Sequence, residues 1–276
     1  MSEFYQIEDL KELCDEYLSK MELNLSNIFQ LFEISNKYSL IQIKKPIQTF
    51  IFQNFKTIFK SEGFFNAEKS VVKEIIAVGQ TFAIKYEEMF EAAYEWSENQ
   101  VIKKQKESID ENFNMNDAIK VEMQKFLPFI KFEQMEISFF TKYVDKRGFI
   151  FTYDELSDTL ETVQSNVQVK ITNKNGQSVY GLLPKKDNAV CVIKSLQDKC
   201  CDASLKNCIF WYTKCQIPST PSPLKKRIGA KYLFYFFDGD IGVKYTADIH
   251  DRHYLLAEMN SETDFEFIGD CKIEIV

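Results

Sequence analysis

FKTIFKSEGFFNAEKSVVKEIIA, residues 55–77, decides how the first half of this chain folds. Ile58, Phe59, Phe64 and Phe65 gather ahead of a run in which Val71, Val72, Ile75 and Ile76 recur at three-to-four-residue spacing, which predicts one apolar stripe on a helix. EEMFEAAYEWSE (87–98) repeats the pattern with Met89, Phe90, Ala93, Tyr94 and Trp96. FLPFIKFEQMEISFFTKYV (126–144) opens another with Phe126, Leu127, Phe129 and Ile130. A helix with one apolar stripe is marginal alone in water, so these segments are expected to pack on one another. Phe64, Phe90, Tyr94 and Trp96 are the expected core. Glu87, Glu88, Glu91, Glu95 and Glu98 are expected to face solvent. Paired carboxylates can serve general acid–base chemistry, but neither a nucleophile nor a histidine stands near them in sequence.

Upstream, residues 4–18 read as a helix whose broad face carries Ile7, Leu10, Leu13, Cys14, Tyr17 and Leu18. The chain starts almost inside an element, which reads as an N-terminally shortened module. A second helix is expected over 25–38, capped by Asn24 or Ser26, because their side-chain oxygens can accept orphan amide protons. A third ends near Phe59, with Pro46 in its first turn or at a kink. Gly63 is read as a helix exit, and Gly79 as the close of a helix from Ser70 to Ala77. Tyr86–Gln100 is expected to be helical, and the charged stretch 101–115 a mobile loop. Asp117 is a capping candidate for the next helix, Pro128 ends it, and Ser138–Tyr143 and Asp154–Leu160 follow, the last capped by Thr152.

The pattern changes after Glu161. VQVKI (167–171) alternates apolar and polar residues, as a half-buried strand does. NKNGQ (173–177) is a turn, and Val179–Leu183 is its hairpin partner. Further strands are expected at Ala189–Ile193, Cys208–Tyr212, Lys231–Phe237, Ile241–Ile249, Tyr254–Ala257 and Phe265–Ile275. DGD (238–240) supplies a turn, and IPSTPSP (217–223) a loop, because proline lacks the amide donor that a central strand needs. The expected fold class is α+β: an all-helical N-terminal module, then a small, mainly antiparallel β domain.

Composition sets the bounds. The 276 residues include 25 Phe and 45% apolar residues, enough for one large or two modest cores. A net charge of −7 disfavours a general nucleic-acid role. Neither a signal-peptide pattern nor an apolar run of about 20 residues is visible, so no membrane role is expected. The seven cysteines read as reduced thiols of a cytoplasmic or nuclear protein. Cys191, Cys200, Cys201, Cys208 and Cys215 fall close together. Their spacing lacks the tight pairs that clamp zinc, so buried structural thiols without stoichiometric metal are expected. DIHDRH (248–253) brings His250 and His253 beside Asp248 and Asp251, and a surface turn is the expectation. DGD lacks the alternating oxygen ligands of a calcium loop, and no glycine-rich phosphate loop exists. Lys225, Lys226 and Arg227 in LKKRIG form a small basic patch, read as a solubilising loop or a contact for an acidic partner. No catalytic, cofactor or metal residue is assigned, and the chain is not expected to be an enzyme.

IEDLKELCDEYL (7–18), Leu25–Ile28 and Ser35–Tyr38 resemble the end of a BTB/POZ domain and the helical pair that follows it. KSEGF (60–64), FEAAYEWSE (90–98) and MNDAIKVEMQKFLPFIKFEQM (115–135) are similar to a BACK domain. The resemblance covers roughly residues 1–160. It divides the chain into C-terminal BTB and linking helices at 1–54, a BACK-like domain at 55–160, and a β-rich partner-binding domain at 165–276. It implies a noncatalytic adaptor that brings a substrate, held by the β domain, to a cullin-type ubiquitin ligase. Residues 20–60 would carry the helical part of the cullin surface. The mixed strand-and-helix BTB core has no counterpart before Phe4, so dimerisation and most of the cullin surface are not implied. A structural or transcription-associated scaffold without ligase contact is the alternative. No cofactor is expected.

Overall fold

Residues with helical spacing form helices up to Gln164, and alternation takes over from Asn166. The computed structural model describes residues 8–107, 113–196, 199–261 and 263–276. It divides into two units: the chain up to Lys131 with Val144–Tyr153, and Phe132–Tyr143 with Asp154–Val276.

The helical unit contains α1 (Glu8–Ser19), α2 (Ile28–Lys37), α3 (Lys44–Phe59), α4 (Glu62–Asn66), α5 (Lys69–Thr81), α6 (Tyr86–Glu107) and α7 (Met115–Met123). The expected helix start at 4–7 lies outside the described residues. Asn24 accepts the amides of Ser26 and Asn27 just ahead of α2, at 2.9 and 3.2 Å. Pro46 sits in the first turn of α3, where its missing donor is harmless. Gly63 is not an exit: Ser61 caps α4, accepting the Phe64 amide, and Gly63 lies inside that helix. Gly79 likewise lies inside α5 and is buried. A Cβ there would fall 2.3 Å from Sδ of Met89, so this residue sets how closely α5 approaches α6.

Helix α6 is the centre of this unit and departs most from expectation. Met89, Phe90, Ala92, Ala93, Tyr94, Trp96, Ser97 and Val101 are all buried, which is more than one stripe. Of the five glutamates assigned to solvent, only Glu95 is exposed; Glu87, Glu88, Glu91 and Glu98 are half-buried. A helix surrounded by others buries most of its circumference. The expected loop at 101–115 is helical through Glu107, and its residues 108–112 lie outside the described ones. Polar contacts hold the extension. Gln100 and Lys103 donate to the Phe65 carbonyl at 2.7 and 3.0 Å. Lys104 pairs with the buried Glu122 of α7 at 2.7 Å, and Lys69 of α5 takes its other oxygen. Asn114, not Asp117, caps α7, accepting the amides of Asn116 and Asp117.

The second unit opens with short helical segments within 132–143, which include the helix expected over Ser138–Tyr143, and with α8 (Tyr153–Gln164), of which Asp154 onward belongs to it. Then come β1 (Asn166–Thr172), β2 (Ser178–Pro184), α9 (Asn188–Lys194), β3 (Cys208–Trp211), β4 (Tyr232–Phe237), β5 (Asp240–Tyr245), β6 (Tyr254–Met259) and β7 (Lys272–Ile275). Two sheets run β2-β1-β7 and β3-β5-β4-β6, and every pairing is antiparallel. Tyr180 and Asn260 exchange backbone bonds of 2.8 and 2.7 Å and join β2 to the end of β6. Asp238 and Gly239 have φ of 49° and 87°, the two left-handed positions of a tight hairpin turn between β4 and β5. Trp211, Tyr232, Phe234, Phe265 and Ile171 fill the core.

Ala189–Ile193 is helix, not strand. Asp187 caps it by accepting the Ala189 amide at 2.8 Å, and Ala189, Val190 and Ile193 then share one buried face. A short apolar run fits either element by periodicity alone. The strand expected to reach Ile249 stops at Tyr245, and that expected from Phe265 begins at Lys272, after the left-handed Asp270 (φ 63°).

Gly242 of β5 lies between β3 and β4, and a Cβ there would fall 2.6 Å from the Ile209 carbonyl oxygen. The Ile209 backbone on the β3 side cannot yield as a flexible side chain can, and the Tyr235 hydroxyl closes the β4 side at 3.1 Å. Gly242→Ala is expected to lose about 2 kcal/mol in urea unfolding. A loss under about 0.5 kcal/mol would contradict the strand register.

Candidate protein-interaction surfaces

Helix α1 is held by a carboxylate rather than by its apolar stripe. Asp15, 6% exposed, accepts the amides of Ile41, Gln42 and Ile43 at 2.7, 2.8 and 3.0 Å. These amides precede α3 and would otherwise be orphans. Leu10, Leu13, Cys14 and Tyr17 consequently face outward, with Leu13 62% and Tyr17 70% exposed. Met21, Leu25 and Ile41 add exposed apolar surface within residues 20–60. Asp15→Ala is expected to lose about 2 kcal/mol, because charged hydrogen bonds vanish and buried amides stay unmatched. Urea unfolding of the variant against Asp9→Ala, an exposed control on the same helix, measures it.

Phe64, Phe90, Tyr94 and Trp96 are all buried in the helical unit. Phe64 packs against Phe59 and Phe65, with ring centroids 5.4 and 5.8 Å apart. Trp96 meets Phe126 edge-on at 5.6 Å. The Tyr94 hydroxyl donates to Glu98 at 3.0 Å, and the Arg147 guanidinium lies 4.3 Å from its ring centre. Burial, reinforced by the Glu98 carboxylate, pushes the Tyr94 phenol up.

The basic patch of the β unit separates by role. Lys225 and Lys226 are exposed. Arg227 instead forms a forked pair with Glu258 of β6: Nε lies 2.9 and 3.0 Å from the two carboxylate oxygens, and Nη2 lies 2.7 Å from one of them. The Arg227 and Glu258 side chains are only 13% and 9% exposed. Ser222 donates to the Leu255 carbonyl at 2.6 Å. The proline-containing loop is thus fastened along β6, an outer strand of its sheet, and shields an edge that could template pairing with another chain.

The histidines form no acid–base pair with their aspartates. His253 packs against Tyr235 and Phe237 at 4.7 and 4.9 Å, and its Nδ1 accepts the His250 amide at 2.9 Å. Burial lowers its pKa, which favours the neutral ring. Among the described residues, no group of three or more His, Cys, Asp or Glu is placed to hold a metal ion. The cysteines are not uniformly buried thiols. Cys208 and Cys271 are buried and Cys201 and Cys215 half-buried, whereas Cys14, Cys191 and Cys200 are exposed. Cys191 is exposed because its segment is helical and α9 turns it away from the buried face. A shallow open depression is bordered by Ser204, Lys206, Tyr245 and Glu266. Its shape suits a surface contact better than an enclosed small molecule.

Sequence reading missed Asp15, Glu258 and Cys271. Each acts through a partner 26 to 70 residues away, and no local pattern signals such a pairing. No helix among the described residues is long and apolar enough to cross a membrane. Residues 28–111 match the family model described as BACK: BTB And C-terminal Kelch. The match spans α2 through α6 and identifies a BACK domain there; no BTB core is identified. A search of the curated proteins returned no match.

Proposed function

We propose that this chain is a noncatalytic protein-interaction adaptor whose helical unit faces a scaffold and whose β unit selects a partner. The BACK match at residues 28–111 carries the reading, since such a domain suggests a protein-interaction module. The exposed Leu13, Tyr17 and Ile41 add to it, because outward apolar side chains near one another favour protein contact. The proposed division follows the resemblance: BTB-type and linking helices at 1–54, a BACK-like domain at 55–160, and a partner-binding domain at 165–276. A cullin-type ubiquitin ligase is the proposed scaffold, contacted weakly through residues 20–60. Lys225 and Lys226 are proposed to meet an acidic partner surface. Holding two proteins on one body raises their effective concentration.

The test is quantitative binding of the full chain to purified cullins, together with capture of partners from cell extract. Cullin affinity in the range of about 10–100 μM is expected, the weak end for a partial interface. Leu25→Asp and Ile41→Asp should reduce it, and Lys225→Glu with Lys226→Glu should reduce partner capture alone. Absence of cullin binding at about 100 μM would favour a structural or transcription-associated scaffold.

A further inference from the structure

The strands β3 and β7 are outer strands of their respective sheets, and the segment 199–203 lies between them. Asp202 exchanges two backbone hydrogen bonds with Phe210 of β3, at 2.7 and 3.0 Å. The Trp211 indole donates to the Lys199 carbonyl at 3.2 Å, and the Tyr212 hydroxyl to the Asp202 carboxylate at 2.9 Å. On the other side, Sγ of Cys201 accepts the amide of Cys271, directly before β7, at 3.3 Å. The Cys271 thiol also donates to the Ile268 carbonyl at 3.1 Å. One short segment is thus fixed to both sheets, and its contact at the start of β7 runs from the Cys271 amide to the Cys201 sulfur, which brings two cysteines together.

The two sulfurs are not equivalent. Cys271 is buried, whereas Cys201 is half-buried and receives a backbone donor. The neighbouring Cys271 side chain and its backbone amide hold the Cys201 thiol low, at about 6, against opposition from burial and the Asp270 carboxylate. The Cys201 sulfur beside it, with burial, pushes the Cys271 thiol up. A thiolate that is accessible and beside a second thiol has the makeup of a redox-active pair.

We propose that Cys201 and Cys271 are a peroxide-oxidisable pair at this seam, with Cys201 the attacking sulfur and Cys271 the resolving one. The oxidant is a hydroperoxide. The Cys201 thiolate attacks one peroxide oxygen; the S–O bond forms, the O–O bond breaks, and the departing hydroxide takes a proton to become water. The Cys271 sulfur then attacks the Cys201 sulfenic acid. The S–S bond forms, the S–O bond breaks, and hydroxide leaves with the Cys271 proton as a second water. Two thiols lose two electrons, and hydrogen peroxide gains them. The product joins positions 70 residues apart and fastens the 199–203 segment covalently to the start of β7.

Hydrogen peroxide titration of the full chain, with alkylation of remaining thiols and non-reducing peptide mapping, tests this. The first product should be a Cys201–Cys271 linkage with loss of two hydrogens. Iodoacetamide labelling of Cys201 across pH should be half-maximal near pH 6. At pH 7 its thiolate fraction is about thirtyfold that of an ordinary thiol, and the weaker nucleophilicity of a more acidic thiol returns about tenfold, leaving a rate advantage of about threefold. In Cys271→Ser, a dimedone-reactive sulfenic acid should accumulate on Cys201, and in Cys201→Ser the linkage should not form. Three results would each overturn the proposal: a Cys200–Cys201 product, oxidation of Cys14, Cys191 or Cys200 while Cys201 stays reduced, or Cys201 labelling that rises only above pH 8. All three are read on the unmodified chain, so a variant that fails to fold leaves the test intact.

Discussion

Phe90→Ala is expected to destabilise the helical unit by about 3–5 kcal/mol. Phe90 is fully buried in α6, between the buried neighbours Met89 and Ala93. Removing its ring forfeits the transfer of a large apolar group out of water and leaves a void that the packed core fills only in part. Relief is limited locally, because Met89 already packs onto Gly79 and Trp96 onto Phe126. Urea unfolding followed by the helical circular dichroism signal measures the effect, with Glu95→Ala as an exposed control on the same helix. A loss below about 1 kcal/mol would remove Phe90 from the core assignment. Phe90→Leu, which keeps most of the volume, should lose about 1–1.5 kcal/mol.

Arg227→Ala should lose about 3 kcal/mol in the β unit, while Lys225→Ala and Lys226→Ala stay within about 0.5 kcal/mol. The three residues are consecutive cations, but only Arg227 has its charge taken out of water against a carboxylate. Truncating it strands Glu258, and that uncompensated carboxylate is the larger part of the loss. Replacing both partners with apolar residues of similar volume, Arg227→Met with Glu258→Leu, should recover most of the stability. Native-state hydrogen exchange of the β4 and β6 amides isolates the effect to this unit. Equal losses for all three single substitutions would mean that the segment acts through net charge and not through the fork.

The architecture was legible because it rests on periodicity, which is a local property. Three-to-four-residue spacing in 55–98 and alternation in 167–171 set helices before strands, and Asn175-Gly176 and Asp238-Gly239 marked turns through conformations that few residues adopt. The burial of Phe64, Phe90, Tyr94 and Trp96 follows from their size and spacing. Local pattern was insufficient where two structures suit the same residues. Ala189–Ile193 fits a strand or a helix by composition, and the Asp187 cap with a buried Ile193 decided for helix. Residues 101–107 looked solvated, yet lysines reaching Phe65 and Glu122 carried the helix onward. The surfaces depended most on tertiary structure. An apolar stripe on α1 predicts a buried face, but the Asp15 carboxylate claims the three amides before α3 and turns Leu13 and Tyr17 outward. Three adjacent cations read alike until Glu258 selects one, and seven cysteines read alike until the chain brings positions 201 and 271 together. Sequence alone therefore determined the order of helices before strands and the burial of Phe64, Phe90, Tyr94 and Trp96, since both follow from spacing along the chain. Tertiary structure decided which polar groups are paired, which apolar face is left outward and which thiols meet, because hydrogen bonds and ion pairs are short-ranged in space and blind to separation in sequence.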